Sequence, residues 1–179
     1  KNDNLSSILN ALNRPTTFTY NTTTDWLEKE SFEGFNKSYT YYTDGSLKSF
    51  KNPNGSTLNY YYDQLGRITD SGYATYSYDE TTGNLKTITK SGKTIELGYD
   101  GFNRVTSVLY DGTIVNYEYD ELDNVTKITY PGGKAVTYTY TENNQMKTVT
   151  DWNSNRTTYS YNNSGQLISM VYPNQVKTE

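Results

Sequence analysis

VLYDGTIVNYEYDELDNV, residues 108–125, is the stretch whose reading decides the fold. Asp111-Gly112 stands between two β-rich runs. Both central residues of a type I′ turn need positive φ, which Asp and Gly tolerate, so the pair reads as a hairpin turn. In the run that follows, side chains alternate with period two. Val115, Tyr117 and Tyr119 therefore share one face, and Asn116 and Glu118 point the other way. A polar stretch, Asp120 to Asn124, follows Tyr119 and reads as a second turn. The unit is strand, turn, strand, turn.

Working outward, the same unit recurs. The second aromatic of each Tyr-x-Tyr-like pair is an anchor: Tyr20, Tyr41, Tyr62, Tyr78, Tyr99, Tyr119, Tyr140 and Tyr161. The steps between anchors are 21, 21, 16, 21, 20, 21 and 21 residues. Self-similarity near 20 residues marks an array of supersecondary units, none of which buries its face alone. The expected fold is all-β: tandem β-hairpin repeats forming a continuous, twisted or spiralling antiparallel sheet. Residues 1–179 read as a single array of about eight repeats, cut mid-repeat at both ends. Asp3 to Ile8 reads as the second half of a repeat, and Met170 to Asn174 as a return strand and turn. Strands of about eight residues are expected.

Both turns are legible along the chain. One lies between Tyr strands, at Gly34, Asn54-Gly55, Ser71-Gly72, Ser91-Gly92, Asp111-Gly112, Pro131-Gly132-Gly133 and Asn153-Ser154-Asn155. The other follows each anchor, and after Tyr62, Tyr99, Tyr119 and Tyr161 it places Gly, Asn or Asp four residues on, where a left-handed residue is tolerated. After Tyr20 and Tyr78 this loop is one residue longer. The return strand poses a parity problem, since Val105 and Val108, like Val125 and Ile128, would fall on opposite faces. Two solutions stay open: a bulge that realigns the strand, or a sheet apolar on both faces.

Composition narrows the function. Hydrophobic residues are 33% of the chain, below the ~45–50% usual for globular proteins. Against disorder stand 20 tyrosines and a net charge of only −4, because disordered chains are poor in aromatics and rich in net charge. With scattered Lys and Arg there is no footprint for nucleic acid. No stretch approaches the ~18 apolar residues of a membrane span. The absence of His and Cys excludes the usual triads, thiol nucleophiles and zinc sites.

Carboxylate chemistry rests on Asp63, Asp79, Asp100 and Asp120. Their repeated place directly before turns points to bonds with the backbone two residues on rather than to glycoside hydrolysis. Asp120, Asp123 and Asn124 lack the order of a calcium loop and read as a turn. The periodic tyrosines read as the packed stripe of the sheet. Trp26 and Trp152 break the period, which makes them the candidate ligand residues, for stacking on sugar rings. No catalytic, cofactor or metal residues are expected.

The frame Tyr-x-Tyr-Asp-x-x-Gly-[Arg/Asn]-[Leu/Val/Ile]-x-x-[Ile/Val] resembles the YD repeat, also called the RHS repeat. It is clearest from Tyr60 to Ile68, Leu97 to Val108 and Tyr117 to Ile128, with degenerate copies over nearly the whole chain; Tyr42, Thr141 and Asn162 replace the Asp. The resemblance implies a segment of a very large surface or secreted protein. That family includes bacterial polymorphic toxins, wall-associated proteins, insecticidal toxin-complex components and animal teneurins. It also implies a sheet that spirals into a hollow shell, enclosing a C-terminal toxic domain in toxins. The core segment that carries autoproteolytic Asp residues in such toxins has no counterpart here.

The expected function is thus structural: shell wall that scaffolds or encapsulates other domains, extracellular or at the cell surface, and not an enzyme. The alternative is a carbohydrate- or cell-wall-binding adhesion module. Expected partners are neighbouring repeats and a downstream domain, with surface glycans for the alternative and edge-to-edge self-association at high concentration. Neither nucleic acid nor a cofactor is expected.

Overall fold

The computed structural model describes residues 4–179, so Asp3 of the expected N-terminal half-repeat lies outside the described residues. The first six strands are β1 (Ser7–Leu9), β2 (Pro15–Tyr20), β3 (Leu27–Phe32), β4 (Phe35–Tyr41), β5 (Leu47–Lys51) and β6 (Thr57–Asn59). They form one sheet in sequence order. The others are β7 (Tyr61–Tyr62), β8 (Ile68–Asp70), β9 (Thr75–Tyr78), β10 (Leu85–Lys90), β11 (Lys93–Tyr99), β12 (Val105–Tyr110) and β13 (Thr113–Tyr119). After them come β14 (Val125–Thr129), β15 (Ala135–Tyr140), β16 (Met146–Thr150), β17 (Arg156–Tyr161), β18 (Leu167–Val171) and β19 (Lys177–Thr178). These make a thirteen-stranded sheet, also in sequence order. Among the described residues the helical content is one 3-10 turn, Pro131–Gly133. The strands run from two to seven residues, shorter than the eight expected from the period.

Two compact units divide the chain. One holds the residues up to Ser77 with Ile88–Gly92, the other Tyr78–Thr87 with Lys93–Glu179.

A bulge settles the parity problem. Tyr117 faces Ile128, and Tyr119 faces Val125, so two residues of β13 span three steps of β14. Thr126 is the extra residue, and Val125 and Ile128 both reach the tyrosine face. The register shifts in the same way just before Tyr20, Tyr41, Tyr62, Tyr99, Tyr140 and Tyr161. Such a repeated bulge adds local twist at each anchor. Within β12–β16 the resulting apolar face carries Val108, Val115, Tyr117, Tyr119, Ile128, Val136, Tyr138, Tyr140 and Val149. The opposite face is Ser107, Asn116, Glu118, Lys127, Thr137, Thr139 and Thr148. Most of the aromatic face is half-buried. The buried apolar side chains among the described residues are Val136, at 9% exposure, and Ala74.

The short step at Tyr62 has a structural counterpart. Residues 57–62 are one extended run that changes partner at Tyr60. β6 and the Tyr60 N–H pair with β5, the latter bonding the Lys48 carbonyl at 2.9 Å. Tyr61 and Tyr62 pair with β8. With β8 only three residues long, the rest of the β6 edge meets the next hairpin turn. A Cβ on Gly72 of that turn would lie 2.8 Å from the Asn59 nitrogen and 3.1 Å from the Leu58 Cα. Glycine is required there by both space and its φ of +69°.

The turns are of two geometries. Glu33-Gly34, Ser91-Gly92 and Asp111-Gly112 have positive φ at both residues, the type I′ signature. Asn54-Gly55, Pro131-Gly132-Gly133 and Asn153-Ser154-Asn155, grouped with these from sequence, belong instead to five-residue loops. In each, the first N–H bonds the fifth carbonyl and the fourth N–H bonds the first carbonyl: Asn52–Ser56, Tyr130–Lys134 and Asp151–Asn155. The loops after most anchors share this frame, so one loop geometry serves both ends of the hairpins.

Candidate functional site: anchor tyrosines and loop caps

At seven anchors the repeat is locked to the one before it by a tyrosine hydroxyl. Tyr41 donates to the Leu27 carbonyl at 2.8 Å, Tyr62 to Leu47 at 2.9 Å, and Tyr99 to Leu85 at 2.8 Å. Tyr119 donates to Val105 at 2.6 Å, Tyr140 to Val125 at 2.8 Å, and Tyr161 to Met146 at 2.8 Å. Tyr20 does the same to Leu5 at 3.1 Å. In the six bonds from Tyr41 onward the acceptor is the residue that follows the previous loop. Such a bond contributes about 1 kcal/mol net. Partial burial raises the phenols of Tyr41, Tyr62, Tyr119 and Tyr140 above their ordinary range, which keeps them protonated donors.

The four sequence-predicted aspartates are loop caps. Asp100 Oδ1 accepts the N–H groups of Phe102 and Arg104 at 2.9 and 3.0 Å, and Oδ2 accepts Arg104 Nε at 2.7 Å. Asp63 repeats this arrangement with Leu65 and Arg67. Asp120 accepts Leu122 and Asn124 N–H, and Asp79 caps its longer loop through Thr81 and Thr82. Asn162 holds the same loop without a charge. The left-handed residue falls where the sequence placed it, at Gly66, Asn103, Asp123 and Gly165, and also at Asn144. Asp120, Asp123 and Asn124 thus share a loop in which the Asp120 carboxylate is taken by N–H donors. Among the described residues no group of three or more acidic side chains is arranged to hold a metal ion.

These bonds favour the carboxylates. Backbone bonding from Arg67 lowers Asp63, backbone bonding from Thr82 lowers Asp79, and the side-chain amide of Asn124 lowers Asp120. At Asp100 desolvation acts upward and is outweighed by the bonds from Arg104 and Phe102. A group whose native pKa is depressed contributes stability that is complete above its unfolded pKa and is lost as pH falls through the native one. Stability is therefore expected to decline below pH 3.8, the ordinary aspartate value. Replacing Asp63, Asp79, Asp100 and Asp120 together with Asn, the residue already used at 162, should flatten that decline. Thermal melts against pH check it; an unchanged acid limb would remove the caps from the account.

A second ladder, missed from sequence, joins successive loops. Asn84 donates to Asn103 Oδ1 at 2.7 Å, Asn124 donates to Asn144, and Gln145 donates to the Gly165 carbonyl at 2.7 Å. Arg104 Nη1 reaches both the Asp120 carbonyl at 2.7 Å and Asp123 Oδ1 at 2.9 Å. The last residue of each of these four loops thus holds the fourth residue of the next. The available signal was the polar residue directly before each return strand.

The two tryptophans lie in different units. Trp26 packs on Tyr41, ring centroids 5.2 Å apart, and lies against Gly45, where a Cβ would come within 3.1 Å of its ring. Trp152 is 49% exposed, meets Tyr130 edge-on at 6.3 Å, and has Lys134 Nζ 5.3 Å from its ring centre.

Bulged hairpins joined by tyrosine hydroxyls and closed by capped loops define a tandem-repeat antiparallel β protein. Residues 99–177 match the RHS repeat in three overlapping copies, 99–135, 119–156 and 140–177. That part of the chain carries RHS repeats, and the whole of the described chain is all-β and antiparallel. Its fold is similar to that of solved toxin complexes. One is TcdB2–TccC3 without its hypervariable C-terminal region, with a TM-score of 0.67 at 17% identity, covering 96% of this chain and 11% of that one. A second is TcdB2–TccC3–Cdc42, at 0.65 and 14%, covering 88% and 12%. A third is the Photorhabdus luminescens Tc holotoxin pore, at 0.64 and 13%, covering 88% and 12%. The chain therefore spans roughly a tenth of the length of these structures. No protein of curated function matches it in sequence.

Proposed function

We propose that this chain is a stretch of shell wall, one continuous array of RHS repeats that scaffolds or encloses other domains of a larger secreted or surface protein and has no catalytic role. The observation that carries the reading is the tyrosine ladder. The same hydroxyl-to-carbonyl bond ties repeat after repeat, which spends the anchor residues on joining hairpins and leaves the loop carboxylates occupied by N–H donors. The likeness to TcdB2–TccC3, whose C-terminal region is described as hypervariable, supports a wall whose contents differ between proteins. The test is electron cryo-microscopy of the whole polypeptide as its gene encodes it. Repeats forming the wall of a closed chamber are expected; an open ribbon, or repeats scattered among separate globular domains, sinks the reading.

A second reading, glycan adhesion, rests on Trp152, whose ring is open beside Lys134 and Tyr130. It predicts saturable binding to purified cell-wall glycans that Trp152→Ala abolishes and Trp26→Ala leaves largely intact, since Trp26 is engaged by Gly45 and Tyr41. Pull-downs with the two variants decide it.

A further inference from the structure

One position on the aromatic face breaks the pattern of the array. Return-strand residues facing the residue two before the anchor, at Tyr39, Leu97, Tyr117, Tyr138 and Tyr159, make with their partners on the following strand the cross-strand pairs Phe50–Leu58, Val108–Val115, Ile128–Val136, Val149–Thr157 and Met170–Thr178. The equivalent pair opposite Phe18 is Glu30–Lys37. Their side chains form an ion pair at 3.1 Å, with Glu30 only 25% exposed, and the Tyr39 hydroxyl donates to the same carboxylate at 3.3 Å. Desolvation first, and then the Glu30 charge, raise the Tyr39 phenol.

Buried ion pairs are often neutral or unfavourable relative to apolar residues of similar size, and the five equivalent pairs above are apolar or contain Thr. The pair borders a hollow of about 450 Å³, within the range of small-molecule sites, ~300–1,000 Å³. Phe32 and Phe35 also line it, and Phe35, beside the Glu33-Gly34 turn, is 63% exposed. Asn10 lines it too. Its Oδ1 is held by the N–H groups of Leu12 and Arg14, which leaves its amide nitrogen as a donor.

We propose that this hollow binds a neutral saccharide ring. Glu30 and Lys37 neutralise one another, so the site has no net charge with which to select an ion. What it offers is a carboxylate to accept from hydroxyls, an ammonium and an amide to donate to them, and phenyl rings to take the apolar face of a pyranose. The site is separate from Trp152 and does not depend on the shell reading.

The test uses the whole chain and a panel of methyl glycosides (glucoside, galactoside, mannoside, N-acetylglucosaminide) read by saturation-transfer NMR. At least one glycoside is expected to bind. Phe35→Ala, at an exposed position, should weaken that binding roughly tenfold. The decisive variant is Glu30→Val with Lys37→Val, which restores the pair found at Val108–Val115. It should keep or raise the melting temperature and abolish binding. Four results overturn the proposal: no glycoside binds; binding survives the double variant; binding is lost only in Trp152→Ala; or the double variant melts well below the parent, which makes the pair structural.

Discussion

Alanine at Gly72 should lower the unfolding free energy by about 3 kcal/mol, among the largest single-residue effects in the molecule. Two terms act together. Holding an alanine in the left-handed region costs ~1–2 kcal/mol, and here φ is +69°. The added methyl must also displace backbone, because Asn59 N and Leu58 Cα lie 2.8 and 3.1 Å away and neither can rotate aside. For a chain of this size the melting temperature should drop by roughly 6–12 °C. Gly55 is the matched control. Its φ is +89°, but a Cβ there meets nothing within 4 Å, so Gly55→Ala carries the dihedral cost alone. Calorimetry on both variants separates collision from conformation. Equal losses would mean that the turn does not sit against β6.

The second large effect is at an anchor. Tyr119→Ala removes a half-buried ring, its contact with the Arg104 guanidinium 4.8 Å from the ring centre, and the bond to Val105. A loss of about 2–3 kcal/mol is expected, below the ~3–5 of a fully buried aromatic. Tyr119→Phe keeps the ring and strands the Val105 carbonyl, costing about 1 kcal/mol. Hydrogen exchange gives the sharper readout. In the Ala variant, protection should fall on both the β11–β12 and β13–β14 hairpins, since Tyr119 joins the two. A loss confined to β13 would show that the hydroxyl ladder does not couple repeats.

Several features of the fold were legible because they are local. The Tyr-x-Tyr period, the type I′ pair at Asp111-Gly112 and the left-handed residue four positions after most anchors all follow from steric rules acting on a few neighbouring residues. The Asp caps were legible for the same reason, since the bonded groups are two and four residues away. Sequence parity even posed the right question about Val105 and Val108, though it could not choose between a bulge and a doubly apolar sheet. Placing Asn54-Gly55 and Pro131-Gly132-Gly133 with the two-residue hairpins overlooked that Gly at a turn supplies positive φ to several loop frames equally well.

Distance in sequence hid the rest. The Arg104 bond to Asp123, the Asn84 bond to Asn103 and the approach of Gly72 to Asn59 join residues 13 to 19 positions apart, and each depends on the register the bulges set. Glu30 and Lys37 looked like two ordinary surface charges until their strands were paired. The chain by itself determined that hairpins form and where they turn, because those choices are made within one repeat by φ preferences, alternation and short-range bonds. Tertiary structure alone decided which repeat's carbonyl each tyrosine reaches, where the ladder changes partner at Tyr60, and that one apolar pair is replaced by charges over an open hollow, because those depend on which backbone lies beside which.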